Sequence, residues 1–312
     1  MSLRRVVALA GGVGAAKFLR GLTYLLPPGK LVIVGNVGDD FEAFGLRISP
    51  DLDIVMYTLA GIVDDSKGWG VKGDTFNCLK ILEKLGFETW FKIGDMDLAV
   101  HITRTDFLRR GLTLSETTER LCKALSVPAR LVPMSDDSVR TTILSGNLKL
   151  GFQEYFVKRK QKDEVTGVVY EGAEAAKPSP SIIEAIDNAK CVVICPSNPL
   201  LSIGPILSVQ AIKDHLRSSK AFVVGVSPII GGKTIKGPAD KIMSSLGLEA
   251  SAYGVAKFYS SFVDHFVIDE VDKHQKSRIE SLGIKVTVAP TIMKEREDAI
   301  RLARTVLSTV RC

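Results

Sequence analysis

The sequence contains no apolar run of the roughly 18 residues that a membrane-spanning helix requires. Its opening residues, Met-Ser-Leu-Arg-Arg, lead at once into a short apolar strand pattern, which leaves no room for the longer apolar region of a signal peptide. Low-complexity tracts and internal repeats are missing as well. We therefore predict a folded cytoplasmic protein with no membrane partner.

Cysteine is scarce, and its pattern fits neither a disulfide framework nor a zinc site. The five cysteines are odd in number, and their spacing matches no zinc motif. They are Cys78, Cys122, Cys191, Cys195 and Cys312. We expect reduced thiols, with Cys191 and Cys195 as small apolar residues on a buried strand.

Signatures of covalent catalysis are absent too. The chain has no G-x-S-x-G elbow and no plausible pairing of a cysteine with a histidine. Three of the four histidines, His215, His265 and His274, show no metal-ligand spacing, and we interpret them as structural or exposed. This pattern favours direct group transfer, assisted by a metal ion and by electrostatics, over a covalent intermediate.

The charge balance is moderately basic. The 41 Lys and Arg residues against 35 Asp and Glu give a net charge of +6, which suits an anionic ligand and also serves solubility. The densest basic stretch, residues 158–162, is short and is followed by Asp163 and Glu164. We interpret it as a solvated turn and predict no nucleic-acid partner.

Alternating apolar runs and helical patterns predict the fold. A buried strand over residues 5–10, a glycine-rich turn over 11–14, a helix over 15–26 and a second strand over 31–34 form one right-handed parallel crossover. Further strands are predicted over 130–133, 191–195, 221–226, 266–268 and 284–288, and further helices over 181–188, 206–216 and 294–310. This alternation predicts an α/β fold with a doubly wound, Rossmann-like and mostly parallel sheet.

Two regions depart from the alternation. Residues 44–127 are predicted to be mostly helical. One helix begins at Pro50, and the others cover 76–85, 95–110 and 114–125. We expect Asp74 or Thr75 to cap the helix over 76–85. We interpret this region as an inserted helical subdomain and assign the nucleotide- and phosphate-binding core to 1–43 and 128–312. The stretches 141–144, 148–158 and 165–170 predict a small antiparallel patch.

Ligands of open parallel sheets bind beyond the carboxyl ends of the strands. The first such end, Gly11 to Gly14, resembles a dinucleotide fingerprint but has Lys17 in place of the third glycine, and it also lacks the second glycine and the hydroxyl residue of a P-loop. Small residues still let the backbone approach an anion at the start of a helix. We therefore predict that Gly11, Gly12 and Gly14 bind phosphate, and that Lys17 adds a point charge.

Acidic residues follow the second strand. Asp39 and Asp40 end its loop after Asn36, and Asp51 and Asp53 come shortly afterwards. Carboxylates close to bound phosphates indicate Mg²⁺, which takes one or two carboxylates together with phosphate oxygens. Structural explanations stay open: Asp51 as a helix N-cap after Pro50, Asp53 in the first turn of a helix, and the Asp39–Asp40 pair in a turn.

Two more polar sites are candidates. Asp97 and His101 share a helix face just after Asp95, although helix capping also explains such acids. Ser135 and Asp136 lie in another polar loop at a strand end, which on its own would read as a turn. The remaining strand ends with polar or glycine-rich loops are 196–199 and 227–232.

As an ordered set, these segments resemble the 2-phospho-L-lactate transferase family of coenzyme F420 biosynthesis. The chain departs from the family pattern at Met96, where arginine is common, and at Val100, where threonine is common. The matching stretches cover most of the chain and are 11–17, 36–40, 50–53, 94–97, 135–137, 196–199 with 202–205, and 227–230.

The resemblance implies a reaction and a homodimer. The terminal ribityl hydroxyl of 7,8-didemethyl-8-hydroxy-5-deazariboflavin attacks a guanosine diphosphate conjugate of lactate or a related three-carbon acid, and GMP leaves with Mg²⁺ as the implied cofactor. Asp53 and Lys92 would contact the deazaflavin, and the glycine turn with Ser197 and Asn198 would bind the nucleotide side. We assign Asp40 or Asp53 as the group that orients or deprotonates the alcohol, and Asp39 or Asp53 as the metal ligand. The other predicted substrate-binding residues are Gly11, Gly12, Gly14, Lys17, Asn36, Asp95, Asp97, His101, Ser135 and Asp136.

Two alternatives remain. A related branch of proteins with the same glycine turn resembles sugar-nucleotide-binding regulators, although the segment 50–53 and the helical insertion favour the transferase. A nicotinamide-dependent oxidoreductase is disfavoured by Lys17 and by Asn36, which stands where an acidic ribose ligand is expected.

Overall fold

A computed structural model describes residues 5–310 and shows a central sheet of seven parallel strands. Its strands are β1 (Val6–Ala10), β2 (Leu31–Gly35), β5 (Arg130–Pro133), β9 (Cys191–Ile194), β10 (Phe222–Val226), β13 (His265–Ile268) and β14 (Lys285–Val288). The smaller strands are β3 (Phe41–Ala43), β4 (Leu46–Ile48), β6 (Arg140–Ser145), β7 (Leu148–Gly151), β8 (Gly167–Glu171), β11 (Ile229–Ile230) and β12 (Lys233–Thr234).

Helices surround this sheet. They are α1 (Gly12–Leu25), α2 (Pro50–Leu59), α3 (Asn77–Lys84), α4 (Asp95–Arg109), α5 (Leu114–Ala124), α6 (Ile182–Asp187), α7 (Gly204–Ser208), α8 (Gln210–Ser218), α9 (Ala239–Ser245), α10 (Ala252–Tyr259), α11 (Lys276–Glu280) and α12 (Arg296–Thr309). Within residues 5–310, none of them is long and apolar enough to span a membrane. The predicted α/β class with a doubly wound parallel sheet is confirmed.

The order of the strands places the crevice of the fold. It runs β14-β13-β10-β9-β1-β2-β5, so the chain builds outward from β1 in one direction and from β9 in the other. Such a reversal opens a crevice at the carboxyl ends of the two central strands. Ala10 pairs with Gly35, and Leu9 pairs with Ile194, so the loops after β1, β2 and β9 leave the sheet side by side.

The apolar sequence of the strands explains their burial. All five residues of β1 are buried, because strands of a parallel sheet are covered by helices on both faces. Helix α1 packs closely on α12: a methyl group at Gly21 would collide with the Ala299 carbonyl, so glycine is required at this crossing. Cys191 and Cys195 lie in the core as predicted, and burial raises the pKa of the Cys191 thiol to about 12. Cys312 lies outside the described residues.

The region over 44–127 contains four helices and most of the β3–β4 hairpin. Helix α2 is not separate from the sheet: Leu52, Val55 and Met56 belong to the main hydrophobic core. Helix α3 is peripheral, with Leu79 as its one buried residue. The division into a core and an inserted subdomain stays a prediction.

The predicted small antiparallel patch is confirmed, and its strand order is β7-β6-β8. The strand predicted over 148–158 is wrong in its second half. Residues Glu154–Lys158 form one turn of π-helix instead. Phe152 and Phe156 stack with ring centroids 5.4 Å apart, and Tyr155 is fully buried. A spacing of four residues brings side chains together on a helical turn, whereas in a strand they would be far apart.

Two helix boundaries also differ from the prediction. Helix α1 begins at Gly12, so the glycine turn is itself the first turn of the helix. The helix predicted over 206–216 is broken into α7 and α8 at Val209, whose backbone is extended.

Candidate active site

The glycine turn and the loop after β9 face each other across the crevice. A methyl group at Gly14 would collide with the Pro196 carbonyl, so the two segments touch through backbone. Ser197 follows, and its buried hydroxyl has no hydrogen-bond partner within residues 5–310. Asn198 caps the next helical turn, because its side chain accepts from the Leu200 N–H at 3.0 Å.

Asp51 lies against the glycine turn. It accepts a 2.9 Å hydrogen bond from the Gly12 N–H and a 2.8 Å bond from the Asn36 side chain. A methyl group at Gly11 would collide with the Asp51 carboxylate and with the Ser202 Cβ, so glycine fits best at this close approach. The N-cap explanation of Asp51 is wrong, because Ser49 occupies the N-cap of α2.

Asp39 and Asp51 form what we call the acidic pair. Burial, followed by the charge of Asp51, raises the pKa of Asp39 well above its ordinary value. Burial also raises the pKa of Asp51 to about 6, against its bonds from Asn36 and Gly12. One oxygen of Asp39 has no hydrogen-bond partner in the described part of the chain. The pair is therefore short of positive charge.

Asp40, the residue after Asp39, adds to the negative charge near the acidic pair. Its carboxylate pairs with Arg47 at 3.0 Å and accepts a 2.7 Å bond from the Ser49 hydroxyl. Burial nevertheless raises the pKa of Asp40 to about 6, because it outweighs the charge of Arg47. One of its oxygens has no partner among residues 5–310.

Asp53 belongs to a buried ionic network with Asp97, His101, Arg104 and Tyr57. Arg104 is 1% exposed and bonds both oxygens of Asp53. His101 lies between the two acids, 3.6 Å from Asp53 and 3.2 Å from Asp97, and Tyr57 donates a 2.6 Å bond to Asp97. Burial opposes ionisation of Asp97, but His101 and Tyr57 outweigh it, so its pKa is lowered.

Asp53, Asp97 and His101 also form a possible metal-binding group, since one ligand atom of each lies within 4.8 Å of the others. The Arg104 guanidinium already neutralises Asp53 at this point. Mg²⁺ prefers oxygen ligands, and an imidazole suits softer metals. The acidic pair differs from this group: it has two carboxylates and no ion-pair partner among the described residues.

Asp95, the first residue of α4, caps helix α3, and Asp74, which precedes α3, caps helix α4. Asp95 accepts bonds from the Cys78 and Asn77 N–H groups at the start of α3, at 2.9 and 3.0 Å. Asp74 accepts from Met96 and Asp97 at the start of α4, at 2.8 and 3.0 Å. The predicted cap of α3 by Asp74 or Thr75 is thus wrong, because the two acids cap each other's helix. The substrate contact of Asp95 stays a prediction.

We expect the Asp74→Ala substitution to lower the free energy of unfolding by about 1 kcal/mol, the ordinary value of an N-cap. The cause is the loss of two bonds to the orphan N–H groups of α4. Chemical denaturation measures the change. Asp65→Ala is the matched control, because the Asp65 carboxylate pairs with Arg20 at the surface and should contribute less. Equal effects of the two substitutions would contradict the capping explanation.

The remaining predicted residues are dispersed. Lys17 does not point to the acidic pair but donates a 3.3 Å bond to the Met293 carbonyl. Ser135 donates to the Lys177 carbonyl at 2.6 Å, and Asp136 accepts from the Ser115 N–H at 2.7 Å. Lys92 is exposed on the loop between α3 and α4. The structure therefore brings the strand-end acids together but gives Lys17, Ser135 and Asp136 structural contacts.

The sequence reasoning missed the basic partners of the acids. Arg47 and Arg104 hold Asp40 and Asp53, and neither was a candidate. Arg104 could have been found, because it lies three residues after His101 and seven after Asp97 on one face of a helix. Arg47 has no such signal, since only the β3–β4 hairpin brings it to Asp40.

The fold and the site define a class of protein: an α/β enzyme with buried carboxylates and a glycine turn at the switch point of its sheet. Comparison with known proteins gives the family. The model of the family "2-phospho-L-lactate transferase CofD" matches residues 6–305, and the chain belongs to this family. Membership supports the predicted transferase of coenzyme F420 biosynthesis.

Two curated relatives with similar identity to this chain carry different names. A phosphoenolpyruvate transferase of Streptomyces griseus is 42% identical over 309 residues, with 97% of each chain covered. A 2-phospho-L-lactate transferase of Methanosarcina barkeri is 40% identical over 302 residues, also with 97% of each covered. Among solved structures, a UPF0052 family protein of Bacillus halodurans superposes with a TM-score of 0.64 over 98% of this chain and 99% of that one. At 16% identity, this last likeness shows the fold alone.

Proposed function

We propose that the protein transfers a phosphorylated three-carbon acid from a guanosine diphosphate conjugate to the terminal ribityl hydroxyl of 7,8-didemethyl-8-hydroxy-5-deazariboflavin, with release of GMP. The observation that carries the proposal is the acidic pair beside the glycine turn, in a chain that belongs to the transferase family. Attack on a diphosphate requires charge neutralisation and alignment more than covalent help.

The acidic pair is the proposed site of Mg²⁺. Asp39 and Asp51 supply oxygen ligands, and Asp39 has an oxygen without a partner within residues 5–310. When bound there, Mg²⁺ would neutralise charge on the diphosphate. Asp53 was the other predicted ligand, and its bonds to Arg104 favour Asp51 in its place.

Asp40 is the proposed group that accepts the proton of the ribityl hydroxyl. Arg47 and Ser49 hold one of its oxygens, and the other has no partner in the described part of the chain. A carboxylate held in this way can orient an alcohol and take its proton. Asp53, held on both oxygens by Arg104, then positions the deazaflavin rather than acting as the base.

Aromatic side chains near Lys92 support the placement of the deazaflavin. Phe41, the residue after Asp40, packs 4.8 Å from Phe91 and 6.0 Å from Trp90, measured between ring centroids. All three rings are partly exposed. Flat ring systems stack on such surfaces, so we propose that the deazaflavin lies between this cluster and Asp40.

Two relatives of this chain indicate two different three-carbon acids as the transferred group. The Streptomyces and Methanosarcina proteins are named for phosphoenolpyruvate and for 2-phospho-L-lactate, and they are almost equally similar to this chain.

Incubation with deazaflavin, Mg²⁺ and each guanylylated acid, followed by mass detection, tests the proposal. We expect GMP and a phosphodiester-linked deazaflavin with one acid in preference to the other. No GMP release with either acid would disprove the transferase. Tight binding of a UDP-sugar without deazaflavin would instead favour the regulatory alternative.

We expect the Lys17→Met substitution to change turnover less than about threefold, because its ammonium bonds the Met293 carbonyl and does not face the acidic pair. Steady-state kinetics on the guanylylated acid measures this. A loss of about tenfold or more would restore Lys17 as a phosphate ligand.

A further inference from the structure

The glycine turn lacks a cation of its own. The Gly12 N–H already donates a hydrogen bond to the Asp51 carboxylate, so a diphosphate that approached here would meet the negative charge of Asp51. On helix α1, Lys17 bonds the Met293 carbonyl and Arg20 pairs with Asp65 at 2.9 Å. A side-chain cation for the phosphates, in addition to the proposed Mg²⁺, must therefore come from another segment.

One loop lies against the turn, and a second loop lies against the first. The first is loop 64–70, which is closed by a 3.0 Å bond from the Asp64 N–H to the Gly70 carbonyl. A side chain at Gly68 would lie 3.7 Å from Val13, the central residue of the glycine turn. The second is loop 231–238, whose Lys236 ammonium fills the space beside the same Gly68.

Loop 231–238 holds its lysine by backbone and side-chain bonds. The Thr234 hydroxyl donates a 2.8 Å bond to the Gly237 carbonyl, and Lys236 itself donates to the Lys67 carbonyl at 3.4 Å. Gly237 has a φ of +85°, which favours glycine directly after the lysine. The ammonium thus lies at the Lys67 carbonyl, beside Gly68.

Lys236 is the uncommitted cation at this point. On the same two loops, Lys67 pairs with Asp64 at 3.0 Å, and Lys233 pairs with Asp240 at 3.4 Å. Lys236 forms no ion pair with any residue between 5 and 310. The buried Ser197 hydroxyl, next to the Pro196 carbonyl that touches the turn, is a second polar group without a partner in that range.

We propose that Lys236 binds the phosphates of the guanosine nucleotide, together with the N-terminus of α1 and the Ser197 hydroxyl. The inference rests on the proposed function and names a substrate contact that the glycine motif alone does not reveal. A lysine acts on phosphate as a point charge, and the helix start adds N–H donors. Lys236 thereby supplies the positive charge that Lys17 does not.

Calorimetric titration with GDP, with GMP and with inorganic pyrophosphate tests the proposal in the presence of Mg²⁺. We expect Lys236→Met to weaken GDP binding about tenfold, which corresponds to about 1.4 kcal/mol, and Lys236→Arg to retain most of the affinity. Lys233→Met, on the same loop and 82% exposed in its side chain, is the matched control and should bind GDP normally. Deazaflavin binding should be unchanged in all three variants.

Tryptophan fluorescence tests where the nucleotide binds. The chain has two tryptophans, Trp69 and Trp90, and Trp69 directly follows Gly68. In a Trp90→Phe variant the tryptophan emission therefore comes from loop 64–70 alone. We expect GDP to alter its emission. Equal GDP affinity of Lys236→Met and the parent, or no change in Trp69 emission at saturating GDP, overturns the role of Lys236 and leaves the transferase in place. Failure of the parent protein to bind GDP at all overturns both.

Discussion

The Asp39→Asn variant is expected to be more stable than the parent in the absence of Mg²⁺ and nearly inactive in its presence. Asp39 and Asp51 are buried side by side, and burial with mutual repulsion raises the pKa of Asp39. An amide removes both costs, so the unfolding temperature without metal should rise by about 2 °C or more. The same change removes a proposed metal ligand, and turnover should fall about 100-fold.

Thermal unfolding with and without Mg²⁺, followed by product detection, checks this prediction. The parent should gain stability from Mg²⁺, because a ligand that binds only the folded state stabilises it. Asp39→Asn should gain little. Asp65→Asn, at an exposed pair with Arg20, is the matched control and should behave like the parent in both assays. If Asp39→Asn were destabilised and still responded fully to Mg²⁺, the acidic pair would not be the metal site.

The main sheet was predictable because its signals are local. Each buried strand is a short apolar run, and the rule that ligands lie at the carboxyl ends of parallel strands indicated which loops face the ligand. The prediction that Asp39 and Asp40 lie in the loop after the second strand, at the same edge of the sheet as the glycine turn, needed no tertiary information. The residues Glu154–Lys158 were predicted as a strand because an apolar alternation does not distinguish a strand from one helical turn.

The partners of the acids were less predictable, because they depend on contacts between distant segments. Asp51 and Asp53 are two residues apart at the start of α2, and a helix sends them in different directions. Asp51 therefore meets the glycine turn, and Asp53 meets Arg104 on α4. The sequence showed both acids but not which of them would face the crevice.

Lys17 and Lys236 illustrate the same limit. Lys17 follows the glycine turn in sequence, which favoured it as the phosphate ligand, yet the close packing of α1 on α12 directs it to Met293. Lys236 is more than 200 residues away along the chain and reaches the turn only through loop 64–70. No spacing rule could have paired it with Gly68.

Arg104→Met should be the most destabilising single substitution in the site. Arg104 is 1% exposed and bonds both oxygens of Asp53, so its loss leaves a buried carboxylate without a cation on that side. Breaking such a pair costs about 3–5 kcal/mol, because the remaining charge has lost its water as well as its partner. Urea denaturation should show this loss in the midpoint without a large change in the slope.

The double variant Arg104→Met with Asp53→Asn separates this cause from simple loss of packing. With no charge left at position 53, the double variant should be more stable than Arg104→Met alone, although it lacks one more native group. Arg110→Met is the matched control at the end of the same helix: its pair with Asp106 is 67% and 46% exposed, and its loss should cost less than about 1 kcal/mol. If the double variant were less stable than Arg104→Met, packing of the guanidinium and not its charge would hold Asp53 in place. Asp53 would then be available to bind a metal without Arg104, and the assignment of Mg²⁺ to the acidic pair would lose its main argument against Asp53.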